Sequence, residues 1–167
     1  MMESKDIIQI ISITISFIVG LSGLVIGIMN SRKTIYINSV TTLRTKWLNE
    51  MKDYISEFCG LTYNYGISNL PRNSHSELVE KIDKLRYLIK LNLNPKDEFD
   101  KLIIKKIDLI PTLTNRKNFD ELTKELDELT SLSQKMVKLE WEGIKAEAKS
   151  GILKESEKEK LREKYLN

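Results

Sequence analysis

The chain has 167 residues, in which 27 lysine and arginine side chains are interleaved with 24 aspartate and glutamate side chains. Such a length accommodates one modest domain. The near balance of charge disfavours nucleic acid as a direct partner, because phosphate binding needs a strongly basic surface. The single cysteine, Cys59, excludes an intrachain disulfide, which suits the reducing cytosol.

The most informative segment is the uncharged stretch Ile7–Met29, which reads IIQIISITISFIVGLSGLVIGIM. As a helix, its residues would extend roughly 34 Å at about 1.5 Å each, slightly more than the hydrocarbon core of a bilayer. Residues 1–6 before it are acidic on balance, and no small-residue cleavage site follows it, which disfavours a signal peptide. The sequence therefore predicts a retained transmembrane helix over residues 7–29.

The charges on either side of this segment predict its orientation. Four basic residues follow it closely, and only Lys5 precedes it. The four are Arg32, Lys33, Arg44 and Lys46. Because positive side chains favour the cytoplasmic side, we expect residues 1–6 outside the cell and the C-terminal domain in the cytoplasm, with the helix in the inner (plasma) membrane. Arg32 and Lys33 are then the topology anchor, close to the lipid head groups.

The small and polar residues of the segment and its C-terminal flank share one face of the predicted helix. At about 100° per residue they fall within a sector of about 80°. This small/polar stripe consists of Gln9, Ser12, Ser16, Gly20, Gly23, Gly27 and Asn30. Lipid disfavours unpaired amide and hydroxyl groups, and small residues four apart let helices approach closely. The stripe therefore predicts a homo-oligomer, either through a close-packed seam or around a pore.

Beyond the membrane segment, apolar residues recur at steps of three and four, which is typical of amphipathic helices. The first such set is Val40, Leu43, Trp47, Met51, Tyr54, Phe58 and Leu61. No glycine or proline lies between Asn30 and this set, so one helix is predicted to continue from the membrane to about Tyr63. Residues 66–74 are rich in turn formers and predict the first loop.

Three further helices are predicted. Their apolar faces are Leu78, Ile82, Leu85 and Ile89, then Phe99, Leu102, Ile103, Ile107 and Ile110, then Phe119, Leu122, Leu126, Leu129, Met136, Val137, Trp141 and Ile144. Ser74 is the predicted N-terminal cap of the second helix and Asn94 that of the third, which Pro111 ends or kinks. The fourth begins near Asn118 and is interrupted at Ser150–Gly151.

Residues 150–167 are highly charged and are predicted as a terminal helix or tail, with Ser156 at the cap of the helix. The fold class is therefore all-α. A single transmembrane helix continues into a cytoplasmic antiparallel bundle of three to four helices over residues 30–149.

The sequence offers little that could carry catalysis. His75 is the only histidine, and it lies between Ser74 and Ser76 in a predicted loop. Metal-ligand spacings and phosphate-binding glycine loops are absent from the sequence. Cys59 and the two tryptophans, Trp47 and Trp141, fall on or beside apolar helix faces, which favours packing. We therefore expect no catalytic residue, no metal, no cofactor and no enzymatic activity.

Several residues carry a resemblance to a group of known proteins. They form the segments Arg44–Lys52, Ile55–Phe58, Lys84–Pro95 and Glu140–Lys145. Together these segments resemble small single-pass bacterial and prophage membrane proteins with an R-x-K-W-(I/L) helix next to the membrane. Some of those proteins are predicted transmembrane effectors of anti-phage defence, so the resemblance implies a defence role.

The function expected from these features is that of a homo-oligomeric membrane effector that forms a pore. Its partners would be membrane lipid, further copies of itself and a cytoplasmic regulatory protein or signal. Two alternatives stay open, and both act through protein–protein contacts. One is a non-conducting adaptor tethered to the membrane, and the other is a phage-encoded superinfection-exclusion protein.

Overall fold

The computed structural model describes residues 4–68, 76–150 and 152–166. Within these ranges the chain is all-α, has five α-helices and contains no strand. The helices are α1 (Ser4–Ile67), α2 (Ser76–Leu91), α3 (Glu98–Leu109), α4 (Phe119–Ser150) and α5 (Glu155–Leu166). Two short 3-10 helices, Ile110–Leu113 and Arg116–Asn118, follow α3.

The chain forms two compact units, residues 1–41 and residues 42–167, and α1 contributes to both. In the first unit, every side chain described between Ile8 and Tyr36 is exposed. Among the described residues, α1 is the one helix that is long and apolar enough to cross a membrane, and none of its most apolar window is buried within the chain. The predicted long N-terminal helix is thereby confirmed, and it ends at Ile67.

In the second unit, helices α1 to α4 share one hydrophobic core. Its fully buried side chains include Met51, Phe58, Ile89, Ile103, Ile107, Ile110, Leu122 and Leu129. These residues come from the predicted apolar faces of all four helices. The periodicity of apolar residues therefore identified the core-forming faces correctly.

The assignment of three residues to those faces is wrong. Leu43 is 67% exposed, Leu102 is 50% exposed and Trp141 is 43% exposed. A helix turns by about 100° per residue, so each of the three lies roughly 70–120° from the centre of its buried face. On α1 that centre is occupied by Met51 and Phe58, and Arg44 continues the same face towards the N-terminus. A stripe drawn with steps of three and four drifts off a narrow face after several turns.

The N-terminal cap predicted for α3 is also wrong. The cap is Asp97, whose carboxylate accepts hydrogen bonds from the backbone N–H groups of Phe99 at 3.0 Å and Asp100 at 3.1 Å. Asn94 instead closes a turn before the helix, since its side chain accepts from the N–H of Lys96 at 3.0 Å. Asx turns and helix caps use the same side-chain chemistry, so the sequence pattern did not separate them. The predicted end of α3 before Pro111 is confirmed.

The C-terminal segment forms α5, which begins at Glu155 and so includes Ser156. The backbone N–H of Lys154 donates to the carboxylate of Glu157 at 2.8 Å, so a capping interaction exists two residues earlier than expected. Leu153 is buried before α5, and Arg162 on α5 forms an ion pair with Asp97. The predictions for Ser74, His75 and Gly151 lie outside the described residues.

Candidate functional surfaces

The small/polar stripe lies on α1 as expected, and all seven of its side chains or glycine positions are exposed. Space around the glycines is open within the chain. A Cβ atom placed on Gly20, Gly23 or Gly27 would meet no heavy atom within 4 Å outside the local helix. Nothing in the described chain occupies this face, so a neighbour outside the chain can approach it closely. Arg32 is also exposed, and Lys33 lies in α1.

Three hydroxyl groups of the first unit donate hydrogen bonds within their own helix. Ser16 on the stripe donates to the carbonyl oxygen of Ser12 at 2.9 Å. Away from the stripe, Thr14 and Ser22 likewise donate at 2.8 Å to the carbonyl oxygens four residues before them. The Ser16 hydroxyl is therefore paired within the helix and needs no partner on another helix. The case for association then depends on the glycine spacing and on the other polar side chains of the stripe, Gln9, Ser12 and Asn30.

Arg44, which belongs to the segments that carry the resemblance, forms an ionic link between α1 and α4. Its guanidinium donates to Glu140 at 2.8 Å and to Glu147 at 2.5 Å. Burial lowers the Arg44 pKa, but the two glutamates outweigh that effect and raise it. Gly143 lies beside this link, since a Cβ atom there would be 3.2 Å from the guanidinium. The positive charge of Arg44 is thus neutralised within the second unit, so it adds little to attraction of lipid.

Two further ion-pair groups connect the other helices. Lys106 on α3 binds Glu125 at 2.7 Å and also Glu128, both on α4. Burial lowers the Lys106 pKa, but the hydrogen bonds to the two carboxylates raise it more. Asp108 accepts from Lys90 and Arg86 of α2, at 2.9 Å each. Both groups join neighbouring helices and satisfy their charges internally, which is typical of structural contacts.

An apolar groove between α1 and α4 is a surface that the sequence did not reveal. It has a volume of ≈ 510 Å³. Its lining combines the apolar Ile55, Cys59, Met136, Val137 and Trp141 with Ser56, Thr130, Ser133 and Gln134, and with the two lysines Lys52 and Lys138. The available signal was the angular position of Trp141, about 100° from the buried face of α4. An aromatic residue at that angle belongs to the edge of a helix–helix contact, where a groove can open.

The two most distinctive groove side chains are Cys59 and Trp141. Burial raises the pKa of the Cys59 thiol to about 11, and a hydrogen bond with Thr130 lowers it slightly. The thiol is therefore protonated at neutral pH and is a poor nucleophile. Trp141 is partly exposed, and the Lys145 ammonium lies 5.5 Å from the centre of its ring. Cys59, the one cysteine of the groove lining, is therefore not an activated nucleophile.

The described residues include no group of three or more histidine, cysteine, aspartate or glutamate side chains that could hold a metal ion. Two surfaces of different character are left for function, the exposed stripe in the first unit and the groove in the second. No family model, curated protein or solved structure matches the chain.

Proposed function

We propose that this protein is a single-pass membrane effector that self-associates through the small/polar stripe and forms a pore. The observation that supports the proposal most directly is the surface of α1 in the first unit. Large aliphatic side chains such as Leu24, at 65% exposure, cover most of it between Ile8 and Met29, and outside the stripe only Thr14 and Ser22 are small or polar there.

The aliphatic part of that surface fits a lipid environment. Burying an apolar side chain of this size contributes about 1.5–3 kcal/mol, so a long helix with every such chain exposed to water is strongly unfavourable. Lipid removes that cost without a protein partner. In this proposal the N-terminus lies outside, and residues 42–167 form a cytoplasmic antiparallel bundle.

The stripe fits contact with other copies of the helix. Glycines at positions 23 and 27 have the spacing that allows two membrane helices to approach closely. One helix cannot enclose a channel, so conduction requires a ring of several copies. In such a ring Gln9 would supply a polar group to the lumen and the glycines would leave it open.

The biological role proposed is arrest of an infected cell by loss of membrane potential. It derives from the resemblance to transmembrane effectors of anti-phage defence. The cytoplasmic unit would then assemble the ring or receive the infection signal, by contact with a regulatory protein or ligand.

The test compares two sets of leucine substitutions during expression in bacteria. Replacing Gly20, Gly23 and Gly27 by leucine fills the stripe, and replacing Ile11, Ile18 and Val25 by leucine alters the opposite face of the same helix. We expect only the glycine set to abolish membrane depolarisation, measured with a potential-sensitive dye, and toxicity. Equal depolarisation by the glycine set and the wild type, at equal membrane levels of protein, would contradict the proposal.

The adaptor alternative is separated by replacing Ile7–Met29 with a polyleucine anchor. An adaptor needs only a tether and would keep its activity. A pore would lose conduction, because polyleucine offers neither the glycine spacing nor the Gln9 amide. Retained toxicity with the polyleucine anchor would favour the adaptor.

A further inference from the structure

We propose that the groove between α1 and α4 binds a medium-chain fatty acid, with the acyl chain against its apolar side chains and the carboxylate at Lys52 and Lys138. The proposal goes beyond the pore. It depends only on residues of the second unit and stands whether or not the membrane helices conduct.

The size and lining of the groove favour a single apolar chain. Its volume of ≈ 510 Å³ falls within the range of sites that hold one small molecule, about 300–1,000 Å³. Ile55, Met136 and Val137 form an aliphatic floor, and Trp141 adds an exposed aromatic wall. An acyl chain suits such a lining, because its methylene groups have no polar atoms that would need hydrogen-bond partners there.

The charge at the groove selects the head group. Among the described residues that line it, Lys52 and Lys138 are the only charged ones, and both are cationic. Lys138 also forms an ion pair at 3.2 Å with Glu142, which Lys145 contacts as well at 3.2 Å. Because the described lining includes two lysines and no carboxylate, and Glu142 is shared between Lys138 and Lys145, the groove is electropositive. An anionic head group is therefore favoured over a neutral or cationic one.

The neutral hydroxyl and amide groups of the lining add hydrogen-bonding capacity. Ser56 and Gln134 line the groove and are exposed, so they can donate to a carboxylate oxygen without losing a buried partner. Ser133 is different, because its hydroxyl already donates to the carbonyl oxygen of Leu129 at 2.7 Å. The lining thus combines apolar side chains with two lysines and neutral hydrogen-bonding groups, which is the combination that an ionised fatty acid requires.

The chain contains its own reporter for this site, because Cys59 is its only cysteine and lies in the groove wall. The full chain in lipid nanodiscs is alkylated with iodoacetamide at mildly alkaline pH, where part of the thiol ionises. Decanoate is the probe, and decyltrimethylammonium is its control with a chain of the same length and opposite charge. At ten times its dissociation constant, decanoate should slow alkylation roughly elevenfold, because only empty grooves react.

Lysine variants locate the head group. We expect Lys52→Gln and Lys138→Gln each to raise the half-protecting concentration of decanoate roughly two- to fivefold, as for a partly exposed charge pair. Lys46→Gln and Lys124→Gln remove the same charge from the same two helices outside the groove lining, and should leave that concentration unchanged. All four lysines are exposed, so the variants should fold like the wild type.

Four results would overturn the proposal. The first is equal protection by decanoate and decyltrimethylammonium, and the second is no protection by decanoate. The third is an equal response of the groove and control lysine variants. The fourth is a Cys59 thiol that resists alkylation without ligand and becomes reactive when the nanodiscs are diluted to one chain each. That last result would assign the groove to a second copy of the chain.

Discussion

The two parts of α1 differ in what surrounds them, although they belong to one helix. Between Ile8 and Tyr36 every described side chain is exposed, whereas between Leu48 and Tyr65 one face is buried in the core of the second unit. The first part is apolar around most of its circumference, and the second is apolar on one side only. A helix with a single apolar face is stabilised by its own chain, and one that is apolar all round needs lipid or another protein. The expectations below test that difference, beginning with the largest effect.

The largest effect is expected from one pair of phenylalanines on α1. Phe58 is fully buried, and Phe17 is 66% exposed. Phe58→Ala should reduce the free energy of unfolding of the second unit by about 3–5 kcal/mol, because it removes a core aromatic and leaves a cavity. Phe17→Ala should leave that free energy unchanged. Urea unfolding of the full chain in nanodiscs, followed by the fluorescence of Trp47 and Trp141, measures both changes. Equal losses of stability would show that the two parts of α1 do not differ in this way.

A smaller effect is expected from replacing Lys106, the lysine of α3 that is partly buried against α4. The Lys106 side chain is 19% exposed and binds two glutamates, whereas Lys124 is 74% exposed. Lys106→Met should reduce the free energy of unfolding by about 2 kcal/mol, since it leaves the Glu125 carboxylate without a cation. Lys124→Met should change it by less than about 0.5 kcal/mol. Urea unfolding measures both changes. If Lys106→Met left the free energy of unfolding unchanged, the Lys106 ion pairs would contribute nothing to the stability of the second unit.

Two glycines of α1 provide a test of packing density. A Cβ atom on Gly66 would lie 2.3 Å from the Leu122 side chain, which is fully buried, whereas one on Gly60 would meet nothing within 4 Å. Gly66→Ala should therefore destabilise the second unit by about 1–2 kcal/mol through overpacking. Gly60→Ala should stabilise it by about 0.5–1 kcal/mol through helix propensity. Thermal unfolding followed by circular dichroism measures the two shifts, and two shifts of the same sign would contradict the close packing at Gly66.

The smallest effect concerns pH. Burial raises the Asp108 pKa, but the hydrogen bonds with Lys90 and Arg86 outweigh it and lower the pKa below its ordinary value of 3.8. A lowered carboxylate pKa stabilises the fold above 3.8, and that contribution disappears as the pH falls through the folded-state value. Asp108→Asn should therefore reduce the free energy of unfolding by about 1 kcal/mol or less near neutral pH, given its partial exposure. Urea titrations at several pH values should show the free energies of unfolding of the wild type and Asp108→Asn becoming equal in acid. A difference between them that does not change with pH would exclude the ion pairs as its cause.

Much of the fold could be predicted from periodicity, because burial follows the 3.6-residue turn of a helix. Phe58, Ile103 and Leu129 all lie where their spacing indicates. The caps were less predictable, since Asn94 and Asp97 both have the chemistry of a cap and only the path of the chain selects Asp97. The stripe could be placed on α1 from sequence alone, because it depends on one helix.

The sequence by itself determined an N-terminal apolar helix, its stripe of small and polar residues and the faces that form the core. These features are local, and each depends on residues within a few turns of one helix. Only the tertiary structure decided that Arg44 meets Glu140 and Glu147, that Gly66 lies against Leu122, and that α1 and α4 leave a groove beside Trp141. The physical reason is that each of these contacts joins residues far apart in the chain, so helix packing determines them and periodicity does not.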